Sequence, residues 1–552
     1  LLTGSTSADD RLARQSHCLN AVLKGIAAWH LWARLSGWPG NTTTLKTSVF
    51  LSEEGTWSTS TNWDNGIPDQ DTEAIIPDGS EVTIDTDAFC HSLTIQPEGT
   101  MVLPGEQSFT TNRLILKSKT DSAVTGILIN HGSMNITGNT MIERFIPAQT
   151  YVNITPPISD ATAGIFDAEN KELFEWDASL SEFKRIDDNS TPLKPMKGYV
   201  YRNPTADTLL TFRGTINQGN QAIEIVINES DTLHKGWNLI GNPLCASLDW
   251  NANGWDKSNV ANSIYFYHPD FYQPCSYLDG MSNPSGCSNG VIPAMGAFWV
   301  HATQEGIISV NDSALTEQQA LLAIDEPTDM KSIRLMISDN NSWYETLIIF
   351  DEEGHDEFEA VKDAYHLTVP QIGFSWAPGM YSLTKDYTQL SINSQPDGQD
   401  FSIPIGFALF NQGSHTLTAA SIQNIDHPVY LTDLDMENQI SLKEEEYDFN
   451  ESQPIRSNRF VLTSELLTVD DVGIELNTNL IRHVYGYNRK IYIIPEQSFR
   501  ARVRVFDMLG RILYDETLDF FGPRIIPLDQ TGYFVVNLQS AQKTFTYKLV
   551  IL

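Results

Sequence analysis

The sequence predicts an all-β protein: a short right-handed β-helix-like region, then β-sandwich modules, the last of them Ig-like. Three observations carry this. From Phe50 onward, short runs alternate apolar and polar residues, the period of a half-buried strand. Gly, Pro, Asn and Asp punctuate those runs at turn-like intervals. Helical periodicity is nearly absent between them. With 552 residues, 41% hydrophobic and 10% aromatic, the chain has material for several packed cores.

Residues 1–47 form an atypical leader. Arg11, Arg14, Lys24, Arg34 and Lys46 face only Asp9 and Asp10 there, although the whole chain is acidic. Leu19–Trp32 is helix-like and apolar, but Lys24 and His30 interrupt it and it lacks a clean cleavage site for a signal peptide. A start at Leu1 fits a fragment or a processed product. No run reaches the roughly 18 apolar residues of a membrane helix.

Residues 48–146 repeat a strand every 10–20 residues: Glu81–Asp85, Ser92–Gln96, Arg113–Lys117, Gly126–Asn130 and Ser133–Thr137. Ahead of them stand Trp57, Asn62, Trp63, Gly66 and Pro68. This series resembles the entry motif of bacterial β-helix proteins. The indoles would cover the open end of a stack of strands.

Residues 147–325 carry Ile154–Ile158, Lys197–Tyr199, Gly236–Pro243 (GWNLIGNP) and Ile292–Trp299. The series resembles a module common in surface proteins that Bacteroidota export by type IX secretion. The usual Tyr-Pro-Ser continuation is replaced by Leu244, Cys245 and Ala246. Trp237, Leu239 and Ile240 read as a strand, and Gly241–Pro243 as the turn that ends it. A short helix is predicted over Ser313–Ala323, with Leu315, Leu321 and Leu322 apolar and Glu326-Pro327 breaking it. Residues 326–470 return to strands and resemble the β-sandwich that often precedes a sorting domain.

Residues 471–552 hold the most specific pattern: Lys490–Ile494, Arg502–Leu513, Arg524–Leu528, Gly532–Asn537 and Phe545–Ile551. Val505, Phe506, Asp507, Gly510, Arg511, Gly532, Tyr533 and Lys548 match the type A C-terminal sorting domain of type IX secretion. Asp507 and Gly510 fit a hairpin turn. Val503, Val505, Leu513, Val535 and Leu549 are the expected core. The resemblance implies passage through the periplasm and the type IX translocon. A sortase-like protease and attachment to surface lipopolysaccharide follow from the same resemblance. The expected location is extracellular or on the outer-membrane surface.

Signatures of chemistry are sparse. HExxH, GxSxG, P-loop, EF-hand and GxGxxG patterns are absent, and no enzyme activity or obligate cofactor is expected. The net charge of −35, from 70 acidic and 35 basic residues, argues against nucleic acid as a partner. Asp351, Glu352, Glu353 and Asp356 could hold calcium or form a solvated acidic loop. Cys275 and Cys287 could form a disulfide in an oxidising compartment, or remain separate small residues. Tyr265, Phe266, Tyr267, Phe271, Tyr272 and Tyr277 could stack on sugars or fill a core. In the β-helix-like part, His131, Glu143 and Arg144 are the polar residues nearest to what a lyase or glycosidase would need. The reading is therefore a secreted or surface-displayed structural or adhesive protein. A carbohydrate-binding adhesin and a β-helix carbohydrate-active enzyme stand as alternatives.

Overall fold

The computed structural model describes residues 45–166, 170–231, 233–267, 271–318, 329–385, 388–398, 400–436, 438–466, 480–487, 489–495, 499–520, 524–528, 530–540 and 544–551. Lys24, Ala28, Trp29, Trp32 and Pro327 are described singly. The leader expected over 1–47 thus lies almost wholly outside the described residues. The architecture is all-β. Among the described residues no helix is long and apolar enough to cross a membrane.

The first unit is a parallel solenoid. Strands Lys46–Val49, Thr72–Ile76, Ala88–Ile95, Ser108–Leu116 and Ser133–Ile146 pair in parallel to form one sheet. Glu54–Thr56, Glu81–Thr83, Thr100–Leu103 and Ile127–Asn130 form a second parallel sheet. The strands of the two sheets alternate along the chain, so each coil adds one rung to each. Equivalent positions stack: Ile76 pairs with Ile95, Ile95 with Leu116 and Leu116 with Ile142, all buried. That is why alternation recurs at a fixed interval: each rung must repeat the apolar set of the rung below.

Trp57 and Trp63 are buried at the first coil, their ring centroids 4.8 Å apart. Trp57 also meets Phe109 edge-on at 5.1 Å, and the Trp63 Nε1–H donates to the Trp57 carbonyl at 2.9 Å. At the other end the strand Thr208–Phe212 pairs antiparallel with Ser133–Ile146 and breaks the parallel series. The solenoid core continues into Ile154, Phe166, Tyr199 and Tyr201 as one apolar cluster.

In the next unit the strand Trp237–Gly241 is wholly buried and pairs antiparallel with Ala297–Ala302, Leu239 opposite Trp299. The Asn of the GWNLIGNP block closes the following turn. Asn242 donates to the carbonyls of Ala246, Ile292 and Pro293 and accepts from the Leu244 N–H. A buried amide with this many partners staples three segments. Over its described part, Ser313–Gln318, the helix predicted for Ser313–Ala323 is not formed. Asp312–Ala314 is a single 3-10 turn, its Ser313 N–H accepted by the Asn311 side chain, and Leu315–Thr316 pairs as a strand with Ser247–Asp249. A short strand pairing satisfies the backbone that a helix would have satisfied internally, so spacing alone misled. Residues 319–326 lie outside the described residues.

The third unit is one eleven-stranded sheet. It is antiparallel except where Trp343–Asp351 and Gln389–Pro396 run parallel. Ile333, Ile348, Phe407, Leu417, Leu431, Phe449 and Phe460, drawn from both ends of the strand order, share one core, so the sheet folds over on itself as a sandwich does. A second apolar cluster joins this unit to the one before it: Trp176, Trp237, Tyr265 and Trp299 pack with Leu347, Leu367 and Ile392. The last unit is two facing antiparallel sheets. One is three-stranded (Ile481–Tyr487, Lys490–Pro495, Arg524–Pro527) and the other four-stranded (Phe499–Asp507, Ile512–Phe520, Gly532–Ser540, Thr544–Ile551). Both contribute to a single core, the layout of an Ig-like sandwich.

Candidate functional site

The strands Phe499–Asp507 and Ile512–Phe520 meet at a tight turn. Asp507 builds it. Its Oδ1 accepts from the backbone N–H groups of Leu509 and Arg511, both at 2.9 Å, and its Oδ2 accepts from the Arg511 Nε–H at 2.6 Å. The Gly510 N–H donates to the Asp507 carbonyl at 3.0 Å. These bonds, the Arg511 backbone N–H first, hold the Asp507 carboxyl below the usual carboxylate range. Gly510 sits at φ 78, in the left-handed region that favours glycine. Gly510→Ala is expected to weaken this sandwich by about 1 kcal/mol. Hydrogen exchange of the amides in Phe499–Asp507 would report it, with Gly510→Asn costing less.

The turn carries an apolar tip into solvent. Met508 is 71% exposed, Leu509 81% and, in the next strand, Ile512 56%. Tyr533, just past Gly532, is 64% exposed. Val505 is in the core and Phe506 is half-buried, with the Arg504 guanidinium 6.0 Å from its ring. Lys548 is exposed on the final strand, its backbone paired with Val535.

The expected core needs correction at two places. Val503 and Val505 are fully buried, but Leu513 is 36% exposed and Val535 is only half-buried. The strand Gly532–Ser540 turns Phe534, Val536 and Leu538 inward instead. The reason is phase. The even positions Phe534, Val536 and Leu538 are apolar, whereas the odd set contains Tyr533, Asn537 and Gln539, and a strand buries the more apolar of its two faces.

The four acids proposed for calcium do not converge. Asp351 and Glu353 are both bridged by Lys362, at 3.0 and 3.2 Å, and Asp356 is paired with Lys385. Glu352 is an exposed turn residue. Among the described residues no group of three or more His, Cys, Asp or Glu is arranged to hold a metal. Cys275 and Cys287 are bonded to each other. Burial pushes the thiols of Cys90 and Cys245 up to about 12, far from the reactive thiolate.

The aromatic set divides. Tyr265 and Tyr277 are buried, and the Tyr265 hydroxyl lies 2.7 Å from Ser263 Oγ and accepts from the Tyr365 N–H. Phe266 lies against the neighbouring core, and the Tyr267 hydroxyl donates to the Val369 carbonyl. Phe271 and Tyr272 meet Trp343 edge-on, and only Tyr272 is exposed, at 43%. Tyr267 also lines a cleft of about 270 Å³ with Tyr151, Phe183 and Trp299. In the solenoid, Glu143 receives the Lys117 ammonium at 2.7 Å, and the Arg144 guanidinium donates to the Ala123 carbonyl at 2.6 Å. Both are committed to local packing.

Sequence reasoning missed the buried polar groups between units. Arg334 Nη1 donates to Glu345 Oε2 and to Asn283 Oδ1, both at 3.2 Å, and Nη2 donates to the Ser282 carbonyl at 3.0 Å. Glu345 also accepts from the Ser285 N–H, and its backbone is bonded by the Gln273 and Asn283 side chains. The signal available was a charged pair set into two strongly apolar strands. Its partners lie some fifty residues upstream or more and could not be read locally.

The geometry thus defines a multi-unit all-β protein: a parallel solenoid, β-rich units fused to it through shared cores, and an Ig-like sandwich presenting an apolar hairpin tip. A family model described as a domain of unknown function (DUF8693) matches residues 51–463, and the chain belongs to that family. The C-terminal sandwich lies beyond the matched residues. No curated protein matches the chain. Solved structures similar to it include dimeric latent PorU from Porphyromonas gingivalis, at 8% identity over 66% of this chain and 36% of that one, with a TM-score of 0.13. The chain therefore spans about a third of PorU's length. Another is the BSP domain of a biofilm-associated protein, at 8% identity over 74% of this chain and 92% of that one, with a TM-score of 0.11.

Proposed function

We propose that the protein is exported by type IX secretion through its C-terminal sandwich and acts as a structural or adhesive component outside the cell or on the outer-membrane surface. The observation that carries this is the hairpin at Asp507–Arg511. An internally closed turn lifts Met508 and Leu509 into solvent beside Tyr533. A folded domain seldom presents large apolar side chains at a rigid tip without a partner for them. The residues that build this turn are those of the sorting-domain pattern. The partners on this reading are the translocon and a sortase-like protease, with surface lipopolysaccharide as the anchor. The remaining units would supply the displayed body, with no catalytic step assigned to them.

The test is localisation with and without residues 472–552, in a host that possesses type IX secretion. The full chain is expected at the surface or in the medium, shortened by loss of the C-terminal sandwich. The truncated chain is expected to stay in the periplasm. Equal export of both forms would remove the sorting role and leave the last unit as another sandwich.

A further inference from the structure

A cleft of about 730 Å³ opens on the solenoid where the strands Ser108–Leu116 and Ser133–Ile146 face the segment that leaves Thr208–Phe212. Its wall includes Arg113, Asn135, Asn139, Arg213, Thr215 and Gln218, and no carboxylate. In a chain with twice as many acids as bases, that exclusion is local and chemical. Arg113 and Arg213 are exposed, and among the described residues neither side chain has an acidic partner. The nearby Asp160 directs its Oδ1 to the Thr215 N–H at 2.9 Å. The side chains of Asn135 and Asn139 have no hydrogen-bond partner among the described residues. Gln218 accepts from Asn130 through Oε1, which leaves its own amide N–H groups to donate.

The backbone is shaped for this opening. Pairing between the two solenoid strands slips between Thr111 and Arg113, so Thr137 and Gly138 together oppose Asn112. A Cβ at Gly138 would stand 2.4 Å from the Asn112 carbonyl oxygen, so only glycine permits the bulge. A bulge bends its strand and re-aims the side chains that follow. Here those are Arg113 and its ladder partner Asn139. Across the cleft Arg213 follows the antiparallel strand that closes the solenoid. Two guanidinium forks, each able to take a carboxylate or sulfate bidentately, thus flank amides suited to hydroxyl groups. The volume is that of a ligand of several rings, not of a single small anion.

We propose that this cleft binds an oligosaccharide bearing carboxylate or sulfate groups, with Arg113 and Arg213 taking the anionic groups and Asn135, Asn139 and Gln218 the hydroxyls. This deepens the adhesive half of the function proposed above and rests on that reading only for the setting in which the ligand is met. Binding is measured on the purified full chain, so it can fail while export succeeds, and the reverse.

The probes are hexagalacturonate, a heparin hexasaccharide and neutral maltohexaose, titrated by calorimetry with inorganic phosphate as competitor. One or both charged hexasaccharides are expected to bind and maltohexaose not to. The double variant Arg113→Ala/Arg213→Ala should weaken binding at least tenfold with an unchanged thermal midpoint, since neither side chain has an acidic partner to lose. Asn139→Asp should weaken it independently by placing a like charge in the cleft. The proposal is overturned if neither charged hexasaccharide binds, if maltohexaose binds equally well, or if the arginine variant retains full affinity. It is also overturned if phosphate alone displaces the sugar at an equal concentration.

Discussion

Arg459→Met is expected to lower the unfolding free energy by about 3–5 kcal/mol, the usual effect of removing one partner from a buried ionic group. Arg459 is 5% exposed, and the two acids it serves, Asp433 and Glu451, are 1% and 5% exposed. Its Nε and Nη2 donate to Asp433 Oδ2 at 3.1 and 2.8 Å, and Nη1 donates to Glu451 Oε2 at 3.0 Å. The guanidinium also lies 4.7 Å from the centroid of Phe449 and 5.1 Å from that of Phe460. Methionine fills much of the same volume, so the loss isolates the charge. Two carboxylates would then face each other's field, with Tyr447 left donating to Asp433 and Arg456 lying 3.7 Å from Glu451. Urea denaturation would read the change in midpoint. Arg459→Lys should fall between, because an ammonium keeps the charge but not the fork. A shift below about 1 kcal/mol would mean the pair adds no more than a surface bridge does.

The second large effect is a loss of stability on mild acidification. Burial depresses His366 from its ordinary 6.5 to about 4, with the ring stacked on Tyr381 at 5.0 Å. Burial likewise takes His301 to about 4, where it lies over Tyr365 at 4.0 Å and against Trp237 at 4.9 Å. Above pH 6.5 both rings are neutral whether the chain is folded or not, and they exert no pull. Below it the unfolded chain takes up protons that the folded chain refuses until about pH 4. Stability must therefore fall across that window. At about 1.4 kcal/mol per pKa unit, His366 alone accounts for roughly 3 kcal/mol. Asp363 opposes this. Burial raises it to about 6, so on acidification the folded state binds its proton first and gains stability between pH 6 and 3.8. Asp177 and Asp231, held near 2, act only below the window. Thermal midpoints at pH 7, 6, 5 and 4.5 should decline, Asp363→Asn should steepen the decline and His366→Gln should flatten it. A midpoint that does not move between pH 7 and 4.5 would contradict the buried, neutral imidazoles.

Legibility followed locality. The solenoid strands could be read because each coil repeats its own apolar set, Ile76 over Ile95 over Leu116. The end of the Trp237–Gly241 strand and the Asp507 turn could be read because Asn, Pro and Gly act within a few residues. Where two phases competed, as in Tyr533–Leu538, weighing the polar members of each face would have found the buried one. The helix expected over Ser313–Ala323 failed in its described part, Ser313–Gln318, because short leucine spacing suits a helix and a strand pairing alike. The facing arginines of the solenoid cleft, Arg113 and Arg213, are about a hundred residues apart in sequence. Nothing in either neighbourhood announces the other, and only the antiparallel strand that closes the solenoid brings them to one opening.

The polar groups around Glu345 have a mechanical consequence. Bonds from Gln273, Asn283, Ser285 and Arg334 converge on one residue near the start of the strand Trp343–Asp351. The apolar cluster from Trp176 to Ile392 lies alongside. A tether pulling on the chain would meet a joint that cannot hinge, because rotation there strips an ion pair and several amide contacts at once. Load would pass from one unit to the next through a clamped seam. Slack would have to be taken up elsewhere along the polypeptide.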